Sequence, residues 1–209
     1  MVIKIIAIIS ALSSLIPLII VLFFYKSFRS YSSKTFIFFI ISASITDVIN
    51  VTLGLLMINN LWLNNIYVFI PLITFQFILY FEDTFNKKLS NLINIILSIT
   101  YLLGLLNIQN FYQFNSSNYV IASFLLVIIC SILLFNLFYQ NQIIKKKFIF
   151  SISSIMLFYA STTLILYGLI NYLNKSELYF LWFYTLPQTI INVTVNILFA
   201  KVLYGNNEK

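Results

Sequence analysis

Long apolar runs separated by short polar segments dominate the sequence. Seven of these runs have about the 17–25 residues that an α-helix needs to cross the hydrocarbon core of a bilayer. They cover residues 2–25, 35–57, 66–85, 92–108, 119–139, 148–172 and 179–204. The pattern therefore predicts an all-α, polytopic membrane protein, with one seven-helix transmembrane domain over residues 1–209.

The composition agrees with this class, because 61% of the residues are hydrophobic and only 8% are charged. A soluble domain of this length could not cover so much apolar surface. The basic residues that give the formal net charge of +7 lie in short clusters between the apolar runs. Membrane-flanking loops have this pattern. We therefore expect the lipid bilayer, and not nucleic acid, to be the principal partner.

The distribution of basic residues also predicts an orientation. Of the 12 Lys and Arg residues, ten fall in predicted loops one, three and five or at the C-terminal end, whereas Lys4 and Lys175 fall on the opposite side. Cytoplasmic loops are the ones enriched in these residues. The sequence therefore predicts a multi-pass protein of the plasma membrane with its N-terminus outside and its C-terminus in the cytoplasm.

Several kinds of membrane enzyme are disfavoured because the residues they need are missing. The chain has no histidine and one cysteine, Cys130. This leaves no basis for a zinc hydrolase, a serine–histidine protease or a thiolate metal site. An aspartyl protease needs two facing carboxyl groups, yet Asp47 is alone at mid-depth, while Glu82 and Asp83 lie at the end of the third helix. Lys201 lies too near the end of the seventh helix to hold retinal. We therefore expect no enzymatic activity and no cofactor.

Asp47 is the strongest single indication of a site. A carboxylate at the centre of a spanning helix costs roughly 2.5–3.5 kcal/mol on insertion scales. No basic residue lies at the same depth to pair with it. It must be protonated, bind a cation or cationic ligand group, or receive hydrogen bonds from neutral donors. A rotation of about 100° per residue places it on one side of its helix together with Ala43, Ser44, Asn50 and Gly54.

The seventh helix carries a stripe of polar side chains, which should face the interior of the bundle. Within about 60° of the central asparagine by the same rotation, the stripe contains Thr185, Gln188, Thr189, Asn192 and Asn196. Pro187 opens this segment and should kink the helix or free a backbone carbonyl. These side chains either bind a ligand or form hydrogen bonds that hold helices together, each of which contributes about 0.6–2 kcal/mol.

A weak internal repeat adds Gln76 to the candidate binding residues. KTFIF at residues 34–38 resembles KFIF at residues 147–150, and the Pro71–Gln76 pair on the third helix mirrors Pro187–Asn192 on the seventh. The two alignments need different offsets. They suggest parallel three-helix repeats over residues 1–85 and 119–204, joined by helix 92–108, as in PQ-loop-like transporters.

Some other polar and aromatic residues have simpler interpretations. Four aromatic residues lie near the outer helix ends, where such side chains commonly sit in the membrane interface: Trp62, Tyr67, Tyr112 and Trp182. The tetrapeptide INVT occurs at residues 49–52 and 191–194. Its threonines, Thr52 and Thr194, point away from their own asparagines and should hydrogen-bond to carbonyls of their own helix.

Three segments resemble parts of small, uncharacterised seven-helix bacterial membrane proteins. They are NNLWLNNIY at residues 59–67, FNSSNYVIA at 114–122 and LPQTIINVTVNILF at 186–199. An acidic residue on the second helix, here Asp47, also fits that family, whereas Pro71 stands where the family has a carboxyl group. The resemblance implies seven helices and a bacterial inner membrane. It implies no activity, because none is established for the family.

These features lead to three functional hypotheses. The first is a sensory or ligand-binding membrane module with a polar pocket between helices 2, 3, 6 and 7. Its ligand would be a small molecule or a cation, and a cytoplasmic or membrane signalling partner would contact it. The second is a small solute carrier of three-plus-one-plus-three type that uses Asp47 at the midplane. The third is a structural subunit of a membrane assembly.

Overall fold

The computed structural model describes residues 2–82, 116–173 and 177–206, together with positions 95 and 99. Its α-helices are α1 (Val2–Phe24), α2 (Tyr31–Leu55), α3 (Leu61–Tyr67), α4 (Phe69–Phe81), α5 (Ser116–Tyr139), α6 (Lys147–Leu173), α7 (Glu177–Phe180) and α8 (Leu186–Gly205). A 3-10 turn, Tyr25–Ser27, follows α1, and a π-helical turn, Leu181–Thr185, joins α7 to α8. The described part contains no β-strand.

Six helical segments are long and apolar enough to cross a membrane. They are Ile5–Ser27, Tyr31–Leu55, Leu61–Phe81, Ser117–Tyr139, Lys147–Ile170 and Leu181–Gly205. The prediction of an all-α chain with several helices long and apolar enough to span a membrane is therefore confirmed. The predicted helix 92–108 lies outside the described residues, apart from positions 95 and 99.

The six spans pack as a closed ring. Among the described helices, α1 packs against α2 and α8, α4 packs against α2 and α5, and α6 packs against α5 and α8. Within the ring, one half is filled by aromatic side chains centred on Phe36, which is fully buried. The Phe36 ring lies 5.0 Å from that of Phe199 and 6.5 Å from that of Phe75, measured between centroids. This packing leaves the other half of the ring for polar groups.

Helix α2 begins four residues earlier than the apolar pattern predicts, at Tyr31 instead of Thr35. Ser30 is its N-cap, and the Ser30 hydroxyl accepts a hydrogen bond of 3.1 Å from the backbone N–H of Ser33. A serine cap stabilises the first turn by about 1 kcal/mol. The polar first turn, YSSK, is therefore helical although it adds nothing to the apolar run.

The third span, predicted as one helix over residues 66–85, begins earlier and consists of two helices, α3 and α4. Leu61 starts α3, and its backbone N–H donates to the Asn59 side chain at 3.0 Å. The break at Val68 follows from Pro71, which has no N–H to donate to the Tyr67 carbonyl four residues earlier. An irregularity in the backbone thus lies beside the residues that form the candidate site.

The sixth span contains the irregularity that Pro187 predicts. Proline lacks the N–H that would bond to the Phe183 carbonyl, and the chain forms the wider π-helical turn Leu181–Thr185 immediately before α8. The Thr185 hydroxyl donates to the Phe180 carbonyl, five residues earlier, at 3.3 Å. Turns of this kind often lie at functional sites.

One end of the ring, here called the basic end, is where α1, α4, α5 and α8 finish and where α2 and α6 start. Ring contacts between Phe24 and Tyr204 and between Tyr31 and Phe81 bring these termini together. The basic end carries Lys26, Arg29, Lys34, Lys145, Lys146, Lys147 and Lys201. The described basic residues after Lys4 therefore all lie at one end of the bundle.

A cluster around Glu82 ties three spans together at the basic end. The Lys146 ammonium lies 3.0 Å from Glu82 Oε2 and donates to the Glu82 carbonyl at 3.0 Å. The Ser32 hydroxyl donates to the other carboxylate oxygen of Glu82. Both charged side chains are largely shielded, with 30% of Lys146 and 12% of Glu82 exposed. The cluster therefore links the start of α2, the end of α4 and the start of α6.

Replacing Lys146 with glutamine is expected to lower the free energy of unfolding by about 1–2 kcal/mol, because hydrogen bonds to charged groups are lost and Glu82 stays partly buried. Thermal unfolding of the purified protein in detergent would measure the change. Lys145→Gln is the matched control, since Lys145 is exposed. Equal effects of the two substitutions would contradict a role for the Glu82 cluster.

Candidate functional site

Asp47 lies on α2 and faces the interior of the ring. Three cavities open around it, and Asp47 and Asn192 line all three. We call them the central, lateral and tyrosine cavities. Because the same two side chains border each one, they can be treated as parts of one polar site.

The central cavity is the smallest, at about 70 Å³, and it lies nearest the aromatic core. The rings of Phe39 and Phe199 line it on the side of that core, with their centroids 6.2 Å apart. Asn196 also lines it. The phenylalanines therefore form an apolar floor between the polar site and the basic end.

The lateral cavity, of about 340 Å³, lies between α1, α2 and α8. It brings together six of the side chains that the sequence analysis selected: Asp47, Asn50, Thr185, Gln188, Thr189 and Asn192. Residues on two helices that are distant in sequence thus share one cavity. This is the arrangement that a binding site between helices needs.

The tyrosine cavity, of about 220 Å³, lies between α2, α3, α4, α5, α6 and α8. Five tyrosines line it: Tyr67, Tyr119, Tyr159, Tyr167 and Tyr184. The Tyr167 ring lies 4.5 Å from that of Tyr119 and 5.9 Å from that of Tyr184, between centroids. Asp47, Asn50 and Gln188 line the same cavity. The site therefore combines one carboxyl group, amides and aromatic rings.

Four of these tyrosines were not predicted, and the interfacial interpretation of Tyr67 is wrong in that its side chain lines the central and tyrosine cavities. The sequence of α6 contains a pattern that could have predicted two of these tyrosines. Tyr159, Thr163 and Tyr167 are four residues apart, so they share one helix face, and all three line the tyrosine cavity. Hydroxyl-bearing residues at that spacing in a spanning helix indicate an interior face.

The Asp47 carboxyl has a neutral neighbour and no cationic one among the described residues. Ser14 lines the central cavity together with Asp47, and the Ser14 hydroxyl donates to the Ala11 carbonyl at 2.7 Å. None of the described Lys and Arg residues lines any of the three cavities. The charge of Asp47 is therefore not balanced by any described side chain.

Asn50 holds the start of α3 against α2. Its Nδ2 donates to Asn64 Oδ1 at 2.6 Å, and its backbone carbonyl accepts from Asn60 Nδ2 at 3.0 Å. Its own Oδ1 is buried and has no hydrogen-bond partner in the described structure. One end of this amide is therefore structural, while the other end presents an unused acceptor.

The polar stripe on α8 divides into two parts. Asn192 Nδ2 donates to Ser10 Oγ at 3.1 Å, and Asn196 Nδ2 donates to Ser13 Oγ at 2.9 Å. These two asparagines therefore bind α8 to α1. Gln188 differs, because its Nε2 donates to Asn192 Oδ1 at 3.1 Å while its Oε1 is buried without a partner in the described structure.

The remaining predicted residues have mixed outcomes. Thr185 and Thr189 line the lateral cavity. Gln76, selected from the internal repeat, lines none of the described cavities. It is five residues from Pro71, and the helical rotation turns it about 140° from that cavity-lining position. The expected bond from a threonine to its own helix is confirmed for Thr52, whose hydroxyl donates to the Val48 carbonyl at 2.8 Å.

The donor set does not favour a tightly held metal ion. Within residues 2–82, 116–173 and 177–206, no group of three or more His, Cys, Asp and Glu side chains could hold one.

Comparisons of the chain with protein-family models, curated proteins and solved structures find no match.

Proposed function

We propose that the protein is a sensory or ligand-binding membrane module whose ligand occupies the polar site around Asp47. The observation that carries this proposal is a carboxyl group inside the ring with no cationic partner among the described residues. It borders three cavities, and two of them, the lateral and tyrosine cavities, also contain residues with unused acceptors. Intramembrane carboxyl groups are costly and are mostly found where they act on a ligand, an ion or a proton.

The proposal includes an orientation in a bacterial inner membrane. The basic end would face the cytoplasm, because cytoplasmic loops are generally enriched in Lys and Arg. The helix predicted over residues 92–108 would be the seventh crossing. The ligand would then reach the Asp47 site from the outer side. A signalling partner would contact the basic end, where six termini and the Glu82 cluster meet.

The aromatic floor supports a binding module more than a carrier. Phe39 and Phe199 line the central cavity, and Phe36 packs behind them with ring centroids 5.8 and 5.0 Å away. A carrier needs a route past this layer in another conformation, usually with hinges in broken helices. The breaks at Val68 and at Leu181–Thr185 instead border the tyrosine and lateral cavities, and residues of neither break line the central cavity above this layer.

A ligand screen on the purified protein tests the proposal. Amines, amino acids, sugars, carboxylates and inorganic cations would each be added, and the melting temperature Tm measured. A ligand at ten times its Kd stabilises by about 1.4 kcal/mol, which should raise the Tm of a protein of this size by about 3–6 °C. Asp47→Asn should remove the shift.

Ser42→Ala is the matched control, since Ser42 lies on α2 but lines none of the described cavities. It should keep the ligand-induced rise in Tm. If no compound class raised the Tm, the binding module would be abandoned in favour of a structural subunit. Counterflow of the bound compound in proteoliposomes would instead identify a carrier.

A further inference from the structure

We propose that the Asp47 site binds the protonated amino group of an organic amine, and that the tyrosine cavity holds the hydrocarbon or aromatic part of the same ligand. This inference rests on the proposed function and specifies the ligand class of that site. It follows from three properties of the walls: which polar atoms are unpaired, which cavities they share, and what surrounds them.

The unpaired polar atoms are acceptors. Asn50 Oδ1 and Gln188 Oε1 are both buried without a partner in the described structure. The amide nitrogens of the same two residues are already engaged, at 2.6 Å to Asn64 and 3.1 Å to Asn192. With the Asp47 carboxyl, the site therefore offers oxygen acceptors and lacks a cation. A ligand rich in N–H donors satisfies all of them.

The three acceptor groups line the same two cavities from two helices, and this arrangement suits an ammonium group. Asp47 and Asn50 are three residues apart on α2, so they lie on one helix face. Gln188, on α8, lines the lateral and tyrosine cavities, as Asp47 and Asn50 do. An ammonium group has three donors and no acceptor, and two helices here supply three acceptor groups. An unsatisfied buried acceptor is unfavourable, and the bound ammonium group removes that penalty.

The aromatic walls suit the rest of an amine ligand. The faces of tyrosine rings attract cations within about 6 Å and pack well against apolar groups. Tyr167 is central to this wall, since its ring contacts both Tyr119 and Tyr184. An anionic ligand would meet Asp47 with no Lys or Arg among the residues that line the cavity. A bare metal ion would leave most of the tyrosine surface unused.

The experiment compares three probes of nearly equal shape: 2-phenylethylamine, 2-phenylethanol and 3-phenylpropionate, at neutral pH with the full chain in detergent. We expect the amine to raise the Tm, and the alcohol and the carboxylate to leave it unchanged. Calorimetric titration with the amine should show that Asp47→Asn weakens binding at least about 30-fold, as removal of one member of a buried charge pair typically does.

A second pair of variants tests the aromatic wall and does not depend on Asp47. Tyr167→Leu should weaken binding of 2-phenylethylamine by about 3–10-fold, because the contact between the Tyr167 ring and the phenyl group of the ligand is lost. Tyr80→Leu is the matched control, since Tyr80 is 57% exposed and lines none of the described cavities. Equal affinities for these two variants would overturn the role of the tyrosine cavity.

The outcomes separate this inference from the proposed function. Equal binding of the amine and the alcohol overturns the amine inference, as does a Tm shift produced by Na⁺ and not by amines. A shift with sugars or carboxylates that Asp47→Asn abolishes overturns the inference and keeps the binding module. Absence of any shift with any compound class overturns both.

Discussion

Replacing Phe36 with alanine is expected to lower the free energy of unfolding by about 3–5 kcal/mol, the usual cost of truncating a fully buried phenylalanine. Phe36 is 0% exposed. Its ring contacts those of Phe39, Phe75, Phe148 and Phe199 at centroid distances of 5.8, 6.5, 5.9 and 5.0 Å. Equilibrium unfolding of the purified protein in mixed micelles would measure the loss.

Phe38→Ala on the same helix is the matched control. Its side chain is 66% exposed on the outside of the ring, where lipid replaces protein contacts and the substitution should change stability by less than about 1 kcal/mol. Similar losses for Phe36 and Phe38 would contradict the aromatic core. The comparison also tests the floor of the polar site, because Phe199 both contacts Phe36 and lines the central cavity.

Most of the helical architecture could be predicted from the sequence, because spanning a bilayer requires long apolar runs that are visible without any tertiary information. Helix ends and breaks were harder to predict. The start of α2 depends on the Ser30 cap, and the break in the third span depends on a hydrogen bond that Pro71 cannot make. Both are local effects that a pattern of apolar residues does not contain.

The polar half of the site could be predicted for a similar reason, and the aromatic half could not. Asp47, Asn50 and Gln188 are conspicuous because polar groups are rare and costly within an apolar run. Tyrosine is common in this chain, with 14 copies, and it suits interfaces, cores and cavities equally well. Only the packing of α5, α6 and the π-helical turn Leu181–Thr185 shows that Tyr119, Tyr167 and Tyr184 meet.

The sequence also could not separate binding residues from residues that hold helices together. Asn192, Asn196 and Gln188 have the same helical periodicity, yet the two asparagines donate to serines of α1, whereas Gln188 retains an unused oxygen. That difference depends on which helix lies opposite. The two roles have different energetic consequences, because a hydrogen bond between helices stabilises the fold, while a lone carboxyl group opposes it in the absence of ligand.

Asp47→Asn is therefore expected to raise the free energy of unfolding of the ligand-free protein by about 1–2 kcal/mol, since a carboxyl group is more costly than an amide within the membrane. Ser13→Ala should have the opposite effect and lower it by about 1–3 kcal/mol. Ser13 is 5% exposed, and its loss would leave the Asn196 amide without its acceptor. Unfolding in mixed micelles without ligand would measure both changes.

Ser131→Ala is the serine control, because Ser131 is exposed on α5 and should tolerate the change within about 0.5 kcal/mol. Ser13 lines none of the described cavities, so Ser13→Ala should also leave the affinity for 2-phenylethylamine within about twofold of the unmodified protein. If Asp47→Asn instead destabilised the ligand-free protein as Ser13→Ala does, Asp47 would belong to the contacts that hold the helices together. A gain in stability combined with a loss of binding is the trade-off that a functional site imposes on a fold.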